Sequence, residues 1–259
     1  MIERLIDIWN YRYMIYNMVH RELRGKYKKS VLGFLWSLLT PLCQILVYTI
    51  LFAVILKSGT KDYYVYLMAG IIPWTFFNDS LSQGSSSIIA SADMVKKIYF
   101  PREVLPLAQV FARFVDFLLS MFIVLVITIC SGITIDFRLW LLLPIIMIIE
   151  LVFSLGLALI VSAATVYLRD LEYIIRVLLM ALIWMTPIMY EVKAVPANLY
   201  NILKLNPMVY FIDIFHDILY YHTFPSLAML LVIMVEAVGT LIIGEVIFAR
   251  LEGDFSEEL

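Results

Sequence analysis

"VKKIYFPREVLPLAQVFARFVDFLLSMFIVLVITIC", Val95 to Cys130, decides what kind of chain this is. From Val104 onward it is apolar for longer than the about 20 residues a helix needs to cross a bilayer. Only Arg113 and Asp116 are ionisable in that run. Ahead of it stands a short charged turn with Tyr99, Phe100 and Pro101 at its centre. A long apolar run reached through a compact charged loop is the pattern of a polytopic membrane protein.

The same alternation continues in both directions. Candidate spans run over Leu32–Leu56, Tyr63 to about Ile89, Val104–Cys130, Leu139–Leu168, Tyr173–Tyr190 and Phe224–Phe248. Between the fifth and sixth lies Val192–Thr223, too polar and too broken by Pro196 and Pro207 to span. It reads as short helices that re-enter the membrane against protein. The fold expected is all-α integral membrane, with six transmembrane helices in a single domain over 1–259: an interface helix and basic collar at 1–31, spans at 32–248 and a tail at 249–259. Composition agrees, since 63% of residues are hydrophobic and 15% charged, where a soluble domain holds nearer half and a quarter. Mean hydropathy is +0.93.

Before the first span, Ile2, Leu5, Ile6, Trp9, Tyr13 and Tyr16 recur at helical spacing against charged residues. This predicts an amphipathic helix over 2–20 in the membrane interface. The basic "RELRGKYKK" follows. Fourteen of the nineteen Lys and Arg residues fall on the side that carries both termini, which predicts cytoplasmic termini by the positive-inside rule. The net charge of −2 suggests no nucleic-acid partner. Cys43 and Cys130 sit inside apolar runs and read as packing residues. No cleavable signal pattern opens the chain.

No GxxxxGK[ST] phosphate cradle, HExxH, CxxC or GxSxG occurs, and His20, His216 and His222 are scattered. No catalytic, metal or cofactor site is expected, so uphill work needs a gradient or a partner motor. Glu150 and Glu236 are the deep carboxylates a gradient-driven carrier would use; structural pairing is their plainer reading. "NDSLSQGSSS", 78–87, brings hydroxyls and a carboxylate into the second span, which should therefore face protein or water.

Six segments resemble the membrane subunit of ABC exporters for polysaccharides, the O-antigen and teichoic-acid export permeases. They are "RELRGKYKKSVLGFLWSLLTPL" (21–42), "YLMAGIIPWTFF" (66–77), "VKKIYFPREVLPL" (95–107), "VYLRDLEYI" (166–174), "TPIMY" (186–190) and "NPM" (206–208). The resemblance implies a homodimer in a bacterial cytoplasmic membrane, with two copies of a P-loop ATPase binding ATP and Mg below it. It implies a polyprenyl-diphosphate-linked glycan as cargo, moving through a channel at the dimer interface. It makes Asp93, Met94, Val95, Lys96, Lys97, Ile98, Tyr99, Phe100, Pro101 and Arg102 the contact with the ATPase, with Arg169 and Asp170 as a second contact. Composition alone leaves that loop open between a contact surface and an ordinary basic turn. Trp36, Tyr48, Phe52, Trp74, Phe76, Phe77, Trp184 and Tyr190 are candidates for a channel or lateral gate, because aromatic faces stack on sugars. An interfacial aromatic belt is the alternative. Arg24, Lys26, Lys28 and Lys29 are placed to meet a lipid diphosphate. Three further readings remain at this stage: a similar ABC permease for a drug or small lipid, the gradient-driven carrier, and a membrane scaffold with no transport.

Overall fold

The computed structural model describes residues 2–27, 35–55, 62–132 and 136–259, and every regular element among them is helical. α1 (Ile2–Asn10) and α2 (Arg12–Tyr27) replace the single interface helix expected over 2–20. The helix breaks at Tyr11 and then continues through "RELRGKY", where Arg, Glu and Leu favour it. Gly25 costs about 1 kcal/mol against Ala but does not end it. Tyr11 at the break, and Met14, Ile15, Met18 and Val19 on one face of α2, pack on protein. Trp9, Tyr13 and Tyr16 stay exposed, with the Arg12 guanidinium 5.4 Å and 4.7 Å from the ring centres of Trp9 and Tyr13.

Six helices then run between two ends of the molecule. They are α3 (Leu35–Thr49, continued as a π-helix over Ile50–Ile55), α4 (Tyr63–Ser86), α6 (Val104–Cys130), α7 (Phe137–Tyr167), α8 (Leu171–Met185) and α11 (Leu227–Leu251). A short α5 (Ala92–Lys97) lies in the first loop at one end, and α12 (Phe255–Glu258) closes the same end. At the other end lie α9 (Ala197–Leu203) and α10 (Met208–Leu219), where short helices were expected. The first is the basic end, since Lys96, Lys97, Arg102 and Arg169 lie there. The second is the tyrosine end, after Tyr63, Tyr66, Tyr190, Tyr200, Tyr220 and Tyr221.

Among the described residues, three helices are long and apolar enough to cross a membrane: Val104–Cys130, Phe137–Tyr167 and Leu227–Glu258, which joins α11 to α12. α4 is central instead. It packs against α3, α6, α7, α8 and α10, so protein covers it on most sides, while Asn78, Asp79, Ser82 and Ser86 are half-buried and Gln83 is exposed. Ser80, Ser85 and Ser87 are buried, and the Ser85 and Ser87 hydroxyls donate to Ser82 O and Gly84 O of their own helix. The α7–α11 seam is closest at glycine. A Cβ on Gly156 would overlap the backbone of Thr240 and Leu241, and one on Gly244 the backbone of Gly156, the small-residue contact that lets membrane helices touch. α8 stops at Met185, not Tyr190. Pro187 forces Thr186 into extended backbone, φ −105° and ψ 136°.

Candidate functional site

At the basic end, α5 opens the loop and Ile98 ends that helix in extended backbone. The loop then divides its side chains. Val95 and Phe100 are buried, and Met94 packs beside them, in a cluster shared with α2, α6, α7, α11 and α12. Ile98 and Tyr99 point outward, and Tyr99 is 94% exposed. Asp93, Lys96 and Lys97 are exposed, with Lys97 Nζ 3.6 Å from Asp93 Oδ1. Phe100 is thus an anchor into the protein itself, and Tyr99 is the ring left in the open. Together with Pro101 and Arg102 the loop borders a groove of about 600 Å³ whose other wall holds Asp7, Glu252 and Gly253.

Arg102 faces inward across that groove. Its guanidinium donates to Glu252 O and, at 2.7 Å, to Ser256 Oγ. The Tyr167 hydroxyl, at the second loop, donates to Leu251 O at 2.8 Å. Phe255 is fully buried, edge-on to Phe248 and Tyr167. The turn from Leu251 to Ser256 therefore ties both loops together. Sequence reading took this segment as a plain acidic tail; the one signal was a lone Phe among acidic residues. Arg169 and Asp170 stand exposed beside it, and Arg176 pairs with Glu172 at 2.5 Å.

The candidate channel rings separate into two groups. Trp74, Phe76 and Phe77 are buried in the core of the bundle. Phe76 stacks on Phe117 at 4.8 Å and Phe77 on Phe153 at 5.8 Å, which leaves them no free face for a polymer. Trp36 on α3 and Trp184 on α8 are half exposed, at 50% and 57%. Tyr48 and Phe52 lie partly buried against the core, and the Tyr190 hydroxyl donates to Trp184 O at 3.2 Å. Arg24 is exposed on α2. The side chain of Lys26, and Lys28 and Lys29 altogether, lie outside the described residues.

A profile of the family described as ABC-2 type transporter matches residues 13–220, a stretch that holds the first loop, the second loop and the short helices of the tyrosine end. The chain belongs to the ABC-2 type transporter family. It is 31% identical over its whole length, and over the whole of the relative, to the O-antigen export system permease protein RfbA of Myxococcus xanthus. It is 28% identical to a protein of that name from Klebsiella pneumoniae, over 93% of each chain. It is 24% identical to the polysialic acid transport protein KpsM of Escherichia coli, over 75% of this chain and 76% of that one.

In this ABC-2 chain, three of the sequence segments quoted above meet at the tyrosine end. Tyr66 opens the "YLMAGIIPWTFF" stretch, and its hydroxyl lies 3.1 Å from Pro187 O and 2.7 Å from Tyr190 O. Tyr63 donates to Met189 O at 2.6 Å. Asn206 of "NPM" donates to Thr186 Oγ1 at 2.9 Å and accepts from Met208 N at 3.1 Å. Gly70 leaves the gap in which Ile188 and His216 sit, since a Cβ there would lie 3.1 Å from His216 Nε2. The "TPIMY" turn is thus held by α4 on one side and Asn206 on the other.

The expected pairing of the deep carboxylates is not what the structure shows. Glu150 is fully buried, and neither of its oxygens has a partner among the described residues; Glu236 Oε2 has none either. Asp116 does pair, with Arg113 at 3.1 Å. Cys43 and Cys130 are free thiols on exposed faces, not buried packing residues.

Proposed function

We propose that this chain is the permease subunit of an ATP-driven exporter of lipid-linked polysaccharide, of O-antigen or teichoic-acid type. Full-length similarity to an O-antigen export permease carries the reading. On this proposal the whole of 1–259 is one transmembrane domain, with six spans, in a bacterial cytoplasmic membrane. The basic end faces the cytoplasm, as the Lys and Arg bias favours. Two copies form the channel, with the half-exposed Trp36 and Trp184 near the seam. Two copies of a separate P-loop ATPase bind ATP and Mg, so that hydrolysis is not this chain's own work.

The loop geometry supports a division of labour. Phe100 and Arg102 fix the loop to the bundle, and Tyr99 and Ile98 project for the ATPase to grip. An exposed aromatic ringed by charge is the kind of residue that dominates interface energies. Arg24, with Lys26, Lys28 and Lys29, would attract the diphosphate of the lipid carrier at the inner leaflet.

The test is reconstitution with a candidate P-loop ATPase from the same cell, in lipid nanodiscs. Purified lipid-linked glycan from the same cell should stimulate ATP hydrolysis, and Tyr99→Ala should abolish the stimulation. Stimulation by small drugs or phospholipid but not by glycan would instead favour the ABC permease for small substrates. Transport that survives a dead ATPase and fails in Glu150→Gln would favour the gradient-driven carrier.

A further inference from the structure

The tyrosine end holds a second cavity, away from the basic-end groove. It is open, about 430 Å³ in volume, and in the size class of small-molecule sites. Its floor is rigid. The Tyr66 ring stacks on His216 with centres 3.9 Å apart, and Tyr220 meets Tyr66 edge-on at 5.2 Å. The hydroxyl of Tyr66 is already committed to the "TPIMY" turn. The walls are mixed. Asp213, 92% buried, accepts from the Tyr200 hydroxyl at 2.7 Å through Oδ2. Asp217, Thr223 and Tyr221 complete the rim, and Lys193 Nζ lies 5.2 Å from the Tyr221 ring centre.

The chemistry of these walls narrows the ligand. Among the described residues no group of three His, Cys, Asp or Glu is placed to hold a metal ion. Acyl chains gain nothing from two carboxylates and a lysine. An anion would meet Asp213 and Asp217, with Glu191 in electrostatic range of Tyr221, against Lys193 and, over the Tyr200 ring at 4.4 Å, Lys204; the balance is still negative, which is unfavourable at this range. What fits is a ligand with hydroxyls to donate to Asp213 and Asp217, acceptor oxygens for Lys193 and Thr223, and a flat apolar face for Tyr200 or Tyr221. Buried acceptors discriminate strongly for a ligand that supplies the hydroxyl.

We propose that this cavity is a saccharide-binding site for neutral or amino sugars, which excludes acidic ones. This rests on the polysaccharide reading above and on the tyrosine end facing outward. The site would then hold a sugar residue of the emerging chain after it leaves the channel, within one protomer. It adds a preference for the charge of the cargo at a place the coupling machinery does not reach.

The experiment uses the purified full chain in nanodiscs of phosphatidylethanolamine and phosphatidylglycerol, probed by saturation-transfer NMR. The probes are the trimers of N-acetylglucosamine (neutral), glucosamine (amino) and glucuronate (acidic). The neutral and amino trimers should bind and the acidic one should not. Asp217→Asn and Tyr221→Ala should each weaken binding about fivefold or more, the worth of one hydrogen bond. Thr223→Ala, at an exposed rim position, serves if either variant fails to fold, and should weaken binding in the same direction. Absence of binding by both the neutral and the amino trimer overturns the proposal. So does binding that all three variants leave unchanged, or an acidic trimer that binds as well as the others. If the ATPase assay still responds to lipid-linked glycan while the cavity binds nothing, the cavity proposal alone falls. Loss of the glycan response with sugar binding intact removes the export reading and leaves the site.

Discussion

The two ends of this molecule are secured by the same device and to opposite effect. At each, side chains reach across a long stretch of sequence to grip backbone carbonyl groups. At the tyrosine end the gripping groups are Tyr63 and Tyr66, almost wholly buried, and the held turn is buried with them. At the basic end Arg102 and Tyr167 grip the Leu251–Ser256 turn near the surface, and the loop so fixed keeps Tyr99 nearly bare. A buried tie makes an end that stays closed around its own core. A surface tie makes an end that is stiff yet leaves a side chain available to another protein. On the proposed function, stiffness with exposure is what the push of an ATPase would require, because a floppy loop would absorb the stroke.

Substitutions can separate the two ends on a common stability scale. Tyr66→Ala should cost most, about 3–5 kcal/mol as for other buried aromatics, read as a fall in the unfolding midpoint in detergent. A small loss would show that the tyrosine end is not the anchor described. Arg102→Ala should cost about 1.5–3 kcal/mol, the range for hydrogen bonds from a charged group, and should speed hydrogen exchange over 95–103. Unchanged exchange there would break the claim that the surface tie holds the loop. Asn206→Ala should cost about 1 kcal/mol, since it removes one link to Thr186 and a local cap. Tyr99→Ala should cost least, within about 0.5 kcal/mol, while lowering glycan-stimulated ATP hydrolysis about tenfold or more, as loss of an interface hot spot does. A large stability loss with normal stimulation would reverse the assignment of Tyr99 and Phe100.

Hydropathy located α6 to the residue, from Val104 to Cys130, because lipid-length apolar runs are local signals. It placed the start of α7 within two residues, where Asp136 caps the helix by accepting from Arg138 N at 2.9 Å. The loop at 93–102 was legible as a loop, but not its internal division. Phe100 and Tyr99 are adjacent and both aromatic; only the packing of Val95, Phe248 and Phe255 determines which turns inward. Trp74, Phe76 and Phe77 could not be sorted by pattern, since they fall in the stretch of α4 from Val65 to Phe77 that is buried on almost every side and has no polar face to set against an apolar one. The Arg102–Ser256 contact joins residues 154 positions apart, and no periodicity reports such a pair. The cavity wall of Asp213, Asp217 and Tyr221 was likewise hidden in a stretch that sequence reading described only as broken and polar.

The cross-tie at the basic end also bears on grafting experiments. To redirect this permease to a relative's ATPase, one would exchange the loop around Tyr99 for the relative's loop. The family match ends at Tyr220, well before Leu251, so a graft planned on the matched region would carry only half of the fastening. The transplanted loop would then meet a turn shaped for Arg102. A chimera that exchanges 93–103 together with 251–256 keeps donor and acceptor from one parent, and is the exchange expected to transfer partner choice.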